Sequence, residues 1–154
     1  MKTQLLLMRH GETASSGYAA DDLRQLTPRG KLMQKIMAQR LEEMQLIPVK
    51  IYSSSLIRAV ESAEIVGEIL GIEVEQTPAL GLDFNKEVLF DLIEMHFPKS
   101  LLFVGHMPTL PQFLNALVGK KVLNAMKQSS LAIVDISLPL EAKASVFLDY
   151  IECD

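Results

Sequence analysis

The sequence predicts a single α/β domain, and two observations indicate it. Short apolar runs of strand length alternate along the chain with longer segments that have the periodicity of amphipathic helices. The length of 154 residues, of which 49% are hydrophobic and 22% charged, suits one domain with a buried core. Because no internal repeat, low-complexity tract or linker divides the sequence, we expect residues 1–154 to form one unit.

The first strand and the first helix are predicted from an apolar run and a capping pair. Residues 4–8 have the pattern of a strand that is buried on both faces, and a loop follows up to residue 26. Thr27 is a good N-cap and Pro28 is favoured at the first helical position. The helix is predicted to reach about residue 46, with these residues on its buried side: Leu32, Ile36, Met37, Leu41 and Met44.

The rest of the chain continues this alternation. A strand at residues 49–53 leads into a helix that Ser54 or Ser55 can cap and that stops at Gly71. The last two strands are joined by a turn around Pro139 and are expected to pair antiparallel. After Gly71 the predicted elements are a strand at 72–76, a loop at 78–85, helices at 86–97 and 108–118, and strands at 101–104, 131–137 and 144–150.

Unusual polar residues follow three of these strands. Arg9 and His10 come after the first strand, Arg58 lies in the first turn of the helix after the second strand, and His106 follows the strand at 101–104. In an open α/β sheet, ligands bind outside the carboxyl ends of the strands. The sequence therefore predicts that these side chains meet at one edge of the sheet.

The residue types at this edge favour phosphoryl chemistry. A neutral imidazole such as that of His10 is a competent nucleophile toward phosphorus near pH 7. The planar guanidinium of Arg9 matches the oxygens of a phosphate, and Gly11 lets the backbone approach a ligand closely.

Charge and composition argue against several other classes of protein. The net charge of −4 does not favour nucleic acid as a partner, and no apolar stretch is long enough to span a membrane. No segment has the pattern of a signal peptide, and the single Cys153 excludes an internal disulfide bond. No pair of histidines has metal-ligand spacing. We therefore expect a cytoplasmic protein without a metal or other cofactor.

Four ordered segments resemble the signatures of the histidine phosphatase superfamily, which includes phosphoglycerate mutases and acid phosphatases. Arg9-His10-Gly11-Glu12 is similar to its nucleophile motif, and residues 53–59 are similar to the serine-rich turn that leads to its second arginine. Ala63 and Glu64 resemble the continuation of that helix, and residues 104–108 resemble the segment with its second histidine. The resemblance implies a phosphoglycerate mutase-like fold, a three-layer sandwich with a mostly parallel central sheet and helices on both faces. The length leaves little room for the large lid insertion of the mutases.

A fifth segment is similar to one branch of this superfamily. Asp21, Arg24, Leu26, Thr27 and Gly30 resemble the Asp-x-x-Arg-x-Leu-Thr-x-x-Gly segment of the small phosphohistidine phosphatases known as SixA. Two features depart from that branch. Gln25 stands where the branch often has proline, and Glu12-Thr13 is more similar to the mutases.

The resemblance implies a mechanism in two steps. His10 attacks phosphorus and forms a phosphohistidine enzyme, which water then hydrolyses. Arg9, Arg58 and His106 would bind the phosphoryl oxygens and stabilise their charge, with Gly11 and Glu12 beside them. On this hypothesis no metal is required.

The sequence leaves open which residue, if any, would protonate the leaving group. Asp83 is the nearest candidate for the acidic residue that the family places after its third strand, but an aspartate there also suits a helix cap. Glu12 is the second candidate. A phosphohistidine substrate has a better leaving group and would need such an acid less.

Three functions remain compatible with the sequence. The favoured one is a phosphatase that acts on phosphohistidine in a protein. The second is a phosphatase or mutase for a small phosphate ester, against which the missing lid counts, because a mutase must shield its intermediate from water. The third is a phosphate-binding regulatory module without turnover. The sequence does not indicate the oligomeric state.

Overall fold

A six-stranded mixed sheet forms the centre of the computed structural model, which describes residues 3–15, 17 and 20–153. The strand order is β3-β2-β4-β1-β5-β6. Strands β3, β2, β4 and β1 run parallel, whereas β5 pairs antiparallel with β1 and with β6. The strands are β1 (Thr3–Arg9), β2 (Lys50–Ser53), β3 (Val74–Gln76), β4 (Leu101–Gly105), β5 (Leu131–Ile136) and β6 (Val146–Ile151).

Helices cover both faces of this sheet and produce two separate apolar cores. Alternate residues of β1 point to opposite faces, so Leu6 packs in one core and Leu7 in the other. Helices α1 and α2 contribute to the core around Leu6, and α3 and α4 to the core around Leu7. The expected three-layer α/β fold is therefore confirmed. The helices are α1 (Pro28–Glu43), α2 (Ile57–Leu70), α3 (Lys86–His96) and α4 (Thr109–Val118).

The start of α1 is as predicted, and Met37 and Leu41 are buried as expected, but two other residues of the predicted buried face are exposed. Thr27 Oγ1 accepts a hydrogen bond of 2.9 Å from the amide of Gly30, and Pro28 is the first helical residue. The helix ends at Glu43, and Leu32 and Met44 are 57% and 42% exposed. The prediction missed part of this face because it counted only apolar residues, whereas Gly30 and Gln34 are also buried there. The buried residues of α1 are Gly30, Gln34, Met37, Ala38 and Leu41.

The start of α2 also differs from the prediction. The N-cap residue is Leu56, and neither Ser54 nor Ser55 occupies that position. Ser54 lies two residues before Leu56, and its hydroxyl oxygen accepts a hydrogen bond of 3.2 Å from the amide of Leu56. The predicted stop is confirmed, because Gly71 is the C-cap with a φ of 73°, a left-handed conformation that glycine adopts without strain.

The parallel strands place their carboxyl ends side by side. Arg9 at the end of β1 pairs with Gly105 at the end of β4, and Ser53 at the end of β2 pairs with Val104. The loops that follow these three strands therefore begin side by side at the same edge of the sheet. Within the described part of the chain, no helix is long and apolar enough to cross a membrane.

Candidate active site

His10 lies directly after β1 and is held by the backbone on two sides. Its amide donates a hydrogen bond of 3.0 Å to the carbonyl of Gly105, which joins it to the end of β4. Its ring Nδ1 lies 2.8 Å from the carbonyl oxygen of Gly11, and the side chain is buried, with 5% exposed. Since a carbonyl only accepts hydrogen bonds, Nδ1 must carry the ring proton. The other nitrogen, Nε2, therefore holds the free lone pair of the neutral ring.

The loop after His10 is fixed to α2 by one buried serine. The amide of Gly11 donates to Ser62 Oγ at 2.9 Å, and the Ser62 hydroxyl donates to the carbonyl of Arg58 at 2.7 Å. Gly11 also packs closely, because a Cβ atom there would lie 3.0 Å from the carbonyl oxygen of Gly30. Ser62 thus connects the two predicted motifs around His10 and Arg58.

His106 follows β4 and faces His10. The two ring centroids are 5.1 Å apart, and the ring planes are inclined by 54°. The side chain is 8% exposed, and its Nε2 lies 2.7 Å from the hydroxyl oxygen of Ser54. Its Nδ1 is buried and has no hydrogen-bond partner among the described residues.

In each of the two predicted arginines, Nη1 of the guanidinium forms a hydrogen bond to the backbone, while Nε has no partner among the described residues. Arg9 Nη1 donates to the carbonyl of Met126 at 2.9 Å, and Arg58 Nη1 donates to the carbonyl of Asp21 at 3.2 Å. The Nε atoms of both arginines are buried and have no partner in the part of the chain that the structure describes. Buried N–H groups nearly always have a partner. Unpartnered nitrogens on Arg9, Arg58 and His106 therefore suit a site that takes an oxyanion.

Burial keeps both histidines neutral at pH 7. It lowers the pKa of His10 to about 3, with smaller contributions in the same direction from His106, Arg9 and Arg58, although the Gly11 carbonyl opposes the shift. Burial also lowers the pKa of His106 to about 4, and the charges of Arg58 and Arg9 add to this effect. The pKa of Arg9 is lowered as well, mainly by burial. A neutral His10 has the lone pair that a nucleophile needs.

Glu12, one of the two candidate acids, is engaged at the start of α1. Its Oε1 accepts a hydrogen bond of 2.9 Å from the Thr27 hydroxyl, and its Oε2 lies 3.4 Å from Nη1 of Arg29. Its carbonyl oxygen also accepts from the amide of Thr27. These contacts give Glu12 a clear role in joining the His10 loop to the helix.

Asp83, the other candidate acid, is exposed in the turn after the short 3-10 helix Pro78–Leu80. Its amide donates to the carbonyl of Pro78 at 3.2 Å, and its carboxylate forms no hydrogen bond or ion pair with any residue that the structure describes. The interpretation of Asp83 as a helix cap is wrong, because Asn85 caps α3 with its side-chain oxygen. Its role as an acid stays a prediction.

Three residues near this edge have contacts that sequence reasoning did not assign. Ser54 contacts His106, Ser62 joins Gly11 to α2, and the Asp21 carboxylate lies between Arg24 Nε at 2.9 Å and Arg58 Nη2 at 3.5 Å. The run of serines after β2 and the segment with Asp21 and Arg24 were visible in the sequence. Apart from the Asp21–Arg24 pair, these contacts join residues that are 37 to 52 positions apart, so they could not be assigned without the fold. Among the described residues, no group of three or more His, Cys, Asp or Glu side chains could hold a metal ion.

Comparison with known proteins agrees with this geometry. Residues 5–81 match the histidine phosphatase superfamily (branch 1), and the chain belongs to this superfamily. An uncharacterized protein of Picosynechococcus sp. is 31% identical over 119 residues, which are 74% of this chain and 72% of that protein. The mitochondrial serine/threonine-protein phosphatase Pgam5 of Drosophila virilis is 40% identical over 62 residues, or 40% of this chain. The matched segment spans only 21% of that relative's length.

Solved structures confirm the phosphoglycerate mutase-like fold. The protein histidine phosphatase SixA complexed with tungstate superposes with a TM-score of 0.81 at 24% identity, covering 97% of this chain and 96% of that one. A phosphoserine phosphatase of Entamoeba histolytica in complex with 3-phosphoglyceric acid gives a TM-score of 0.75 at 16% identity, covering 97% of both chains. The shared fold therefore carries enzymes with different substrates.

Proposed function

We propose that this protein is a phosphatase that removes the phosphoryl group from phosphohistidine in a protein, through a phosphorylated His10. One observation carries the proposal. The buried, neutral ring of His10 directs a lone pair away from its Gly11 anchor, and unpartnered nitrogens of Arg9, Arg58 and His106 belong to the same edge of the sheet. A nucleophile and oxyanion donors are the parts that phosphoryl transfer needs.

In the first step, Nε2 of His10 forms a bond to phosphorus while the bond to the leaving nitrogen of the substrate breaks. The electron pair of that bond stays with the substrate's imidazole. The new phosphoimidazole of His10 is cationic on the ring, and the hydrogen bond from Nδ1 to the Gly11 carbonyl stabilises that charge. Arg9 and Arg58 bind the negative oxygens of the transferring group.

In the second step, water attacks phosphorus and the bond to Nε2 breaks. Its electron pair returns to Nε2, so His10 regains its starting form and inorganic phosphate leaves. Because the arginines and His106 supply the charge stabilisation, we also propose that no metal ion takes part. Turnover is therefore expected to survive EDTA.

The contrast between the two candidate acids supports phosphohistidine as the substrate. Glu12 is engaged with Thr27 and Arg29, and Asp83 is exposed. An alcohol leaving group needs a proton from a positioned acid. A phosphohistidine ring that is already protonated, as imidazole is below a pKa of about 6.5, leaves as neutral imidazole without one. The fold shared with the protein histidine phosphatase SixA is consistent with this choice.

The experiment measures phosphate release from a protein that carries phosphohistidine. We expect release by the wild-type protein and none above background by His10→Gln. The matched control is His96→Gln, since His96 is the chain's third histidine and bonds the Tyr52 hydroxyl at 2.9 Å, outside the site. The control is expected to keep its activity.

Three results would contradict the proposal. Equal release by wild type and His10→Gln would exclude His10 as the nucleophile. No release from phosphohistidine but turnover of small phosphate esters would assign the protein to the small-molecule phosphatases, and failure on both would favour a binding module without turnover.

A further inference from the structure

Ser54 forms two hydrogen bonds at the site, and together they fix where its proton goes. Its hydroxyl is fully buried, and its Oγ lies 3.2 Å from the amide of Leu56 and 2.7 Å from Nε2 of His106. The amide can only donate, so Oγ accepts from Leu56. The hydroxyl proton then needs an acceptor, and the ring nitrogen of His106 is the one that the described residues offer it.

The hydrogen bond from Ser54 determines which ring nitrogen of His106 carries the proton. If the Ser54 hydroxyl donates to Nε2, that nitrogen carries no proton, and the proton of the neutral ring lies on Nδ1. Nδ1 is the buried atom without a partner in the described structure. With a proton it is a hydrogen-bond donor for a phosphoryl oxygen, whereas without one its lone pair would repel that oxygen.

We propose that Ser54 is a positioning residue that sets the tautomer of His106, so that Nδ1–H of His106 donates to the phosphoryl group. This inference deepens the proposed function and rests on it for its catalytic consequence. The tautomer itself can be measured without any turnover.

The surroundings of Ser54 fit this role. A Cβ atom at Gly81 would overlap the Ser54 hydroxyl, so glycine at that position leaves room for it. The Leu56 amide that holds the hydroxyl is at the start of α2, two residues before Arg58. One turn therefore positions both the proton of His106 and the guanidinium of Arg58.

The direct test is nitrogen NMR of the histidine rings, with the protein labelled on histidine and its signals assigned with His106→Gln. In the wild-type protein at pH 7 we expect a protonated Nδ1 and an unprotonated Nε2 for His106. In Ser54→Ala we expect the two nitrogen shifts of His106 to move toward each other, because either nitrogen can then hold the proton. His10 is the internal control, since its Nδ1 is fixed by the Gly11 carbonyl and not by Ser54.

The kinetic test separates positioning from a general structural role. Loss of one well-placed donor in the transition state is expected to lower kcat of Ser54→Ala about tenfold, with a smaller change in KM. In a His106→Gln background the same substitution should cost almost nothing, because the proton that Ser54 directs is gone. Ser54→Cys keeps a weak donor and should recover part of the loss.

Several results would overturn the inference. A wild-type His106 that is protonated on Nε2, or ring shifts that do not change in Ser54→Ala, would show that Ser54 does not set the tautomer. An equal loss of kcat in the wild-type and His106→Gln backgrounds would show that Ser54 acts through something other than His106. If no phosphatase activity is found at all, the proposed function fails while the NMR result still decides the tautomer.

Discussion

The two sides of the candidate site are built differently. On the phosphoryl side, His10 and His106 are buried, their rings are 5.1 Å apart, and Arg58 belongs to the same edge of the sheet. The two residues considered as acids for the leaving group lie in loops: Asp83 is exposed in a turn, and Glu12 is bound to Thr27 and Arg29. The first side is fixed by the ends of three parallel strands, and the second depends on loops.

This difference indicates where the catalytic power would come from. Preorganised donors in a buried site stabilise developing charge strongly, because they need no reorganisation during the reaction. A carboxylate that is exposed, or engaged with other residues, contributes less as a proton donor. We therefore expect substitutions on the phosphoryl side to have large effects and those on the other side small ones.

The largest effect is expected for Arg58. Arg58→Ala removes a planar donor for the phosphoryl oxygens and should lower kcat/KM about a hundredfold or more. Arg58→Lys should recover little of it, since lysine lacks the planar fork. Steady-state kinetics on a phosphohistidine protein measure this loss, with Arg40→Ala as control, since the Arg40 guanidinium bonds the carbonyl of Glu152 and no residue assigned to the site. A near-wild-type kcat/KM in Arg58→Ala would show that Arg58 does not bind the phosphoryl group.

The next effect concerns the pH dependence of stability. Because the pKa of His10 is lowered to about 3 in the folded protein, the unfolded state binds more protons as the pH falls below about 6.5, and the folded state loses stability. Between pH 7 and pH 5 this one group should cost about 2 kcal/mol of unfolding free energy.

Denaturant unfolding at the two pH values measures this cost. His10→Gln should show a loss of unfolding free energy that is smaller by about that amount. An identical pH dependence in wild type and His10→Gln would show that His10 is not buried in its neutral form.

The smallest effect is expected for Asp83. Asp83→Asn should change turnover of phosphohistidine by less than about threefold, because that leaving group needs little help from an acid. On a phosphoserine peptide the same change should cost more, if any turnover is present. Asp91→Asn is the matched control on the exposed surface of α3. A loss above about tenfold on phosphohistidine would give Asp83 the role of an essential acid.

Much of the site could be predicted from the sequence, because its four main residues follow predicted strands or start a predicted helix. Arg9 and His10 end one apolar run, and His106 ends another. Parallel pairing brings such ends together whatever the details of the packing. The family segments around these residues gave the same assignment.

The remaining features depend on packing that a local pattern does not contain. Ser54 was one of the two serines predicted to cap α2, and its contact with His106 joins residues that are 52 positions apart. Leu32 was predicted to be buried, yet α1 turns the face with Gly30 and Gln34 toward its neighbours. A small residue can lie in a helix contact face because it allows close approach, and a polar residue because it forms a buried hydrogen bond. Hydrophobic periodicity predicts neither of these positions.

The most direct test of the account is to trap the phosphorylated enzyme. The protein is mixed with a phosphohistidine protein that carries a labelled phosphoryl group, the reaction is stopped with alkali within milliseconds, and the labelled peptide is identified by mass spectrometry. We predict label on the peptide that contains His10, stable to alkali and labile to acid, and none in His10→Gln. Turnover with no label on His10, or with label on another residue, would contradict the central claim.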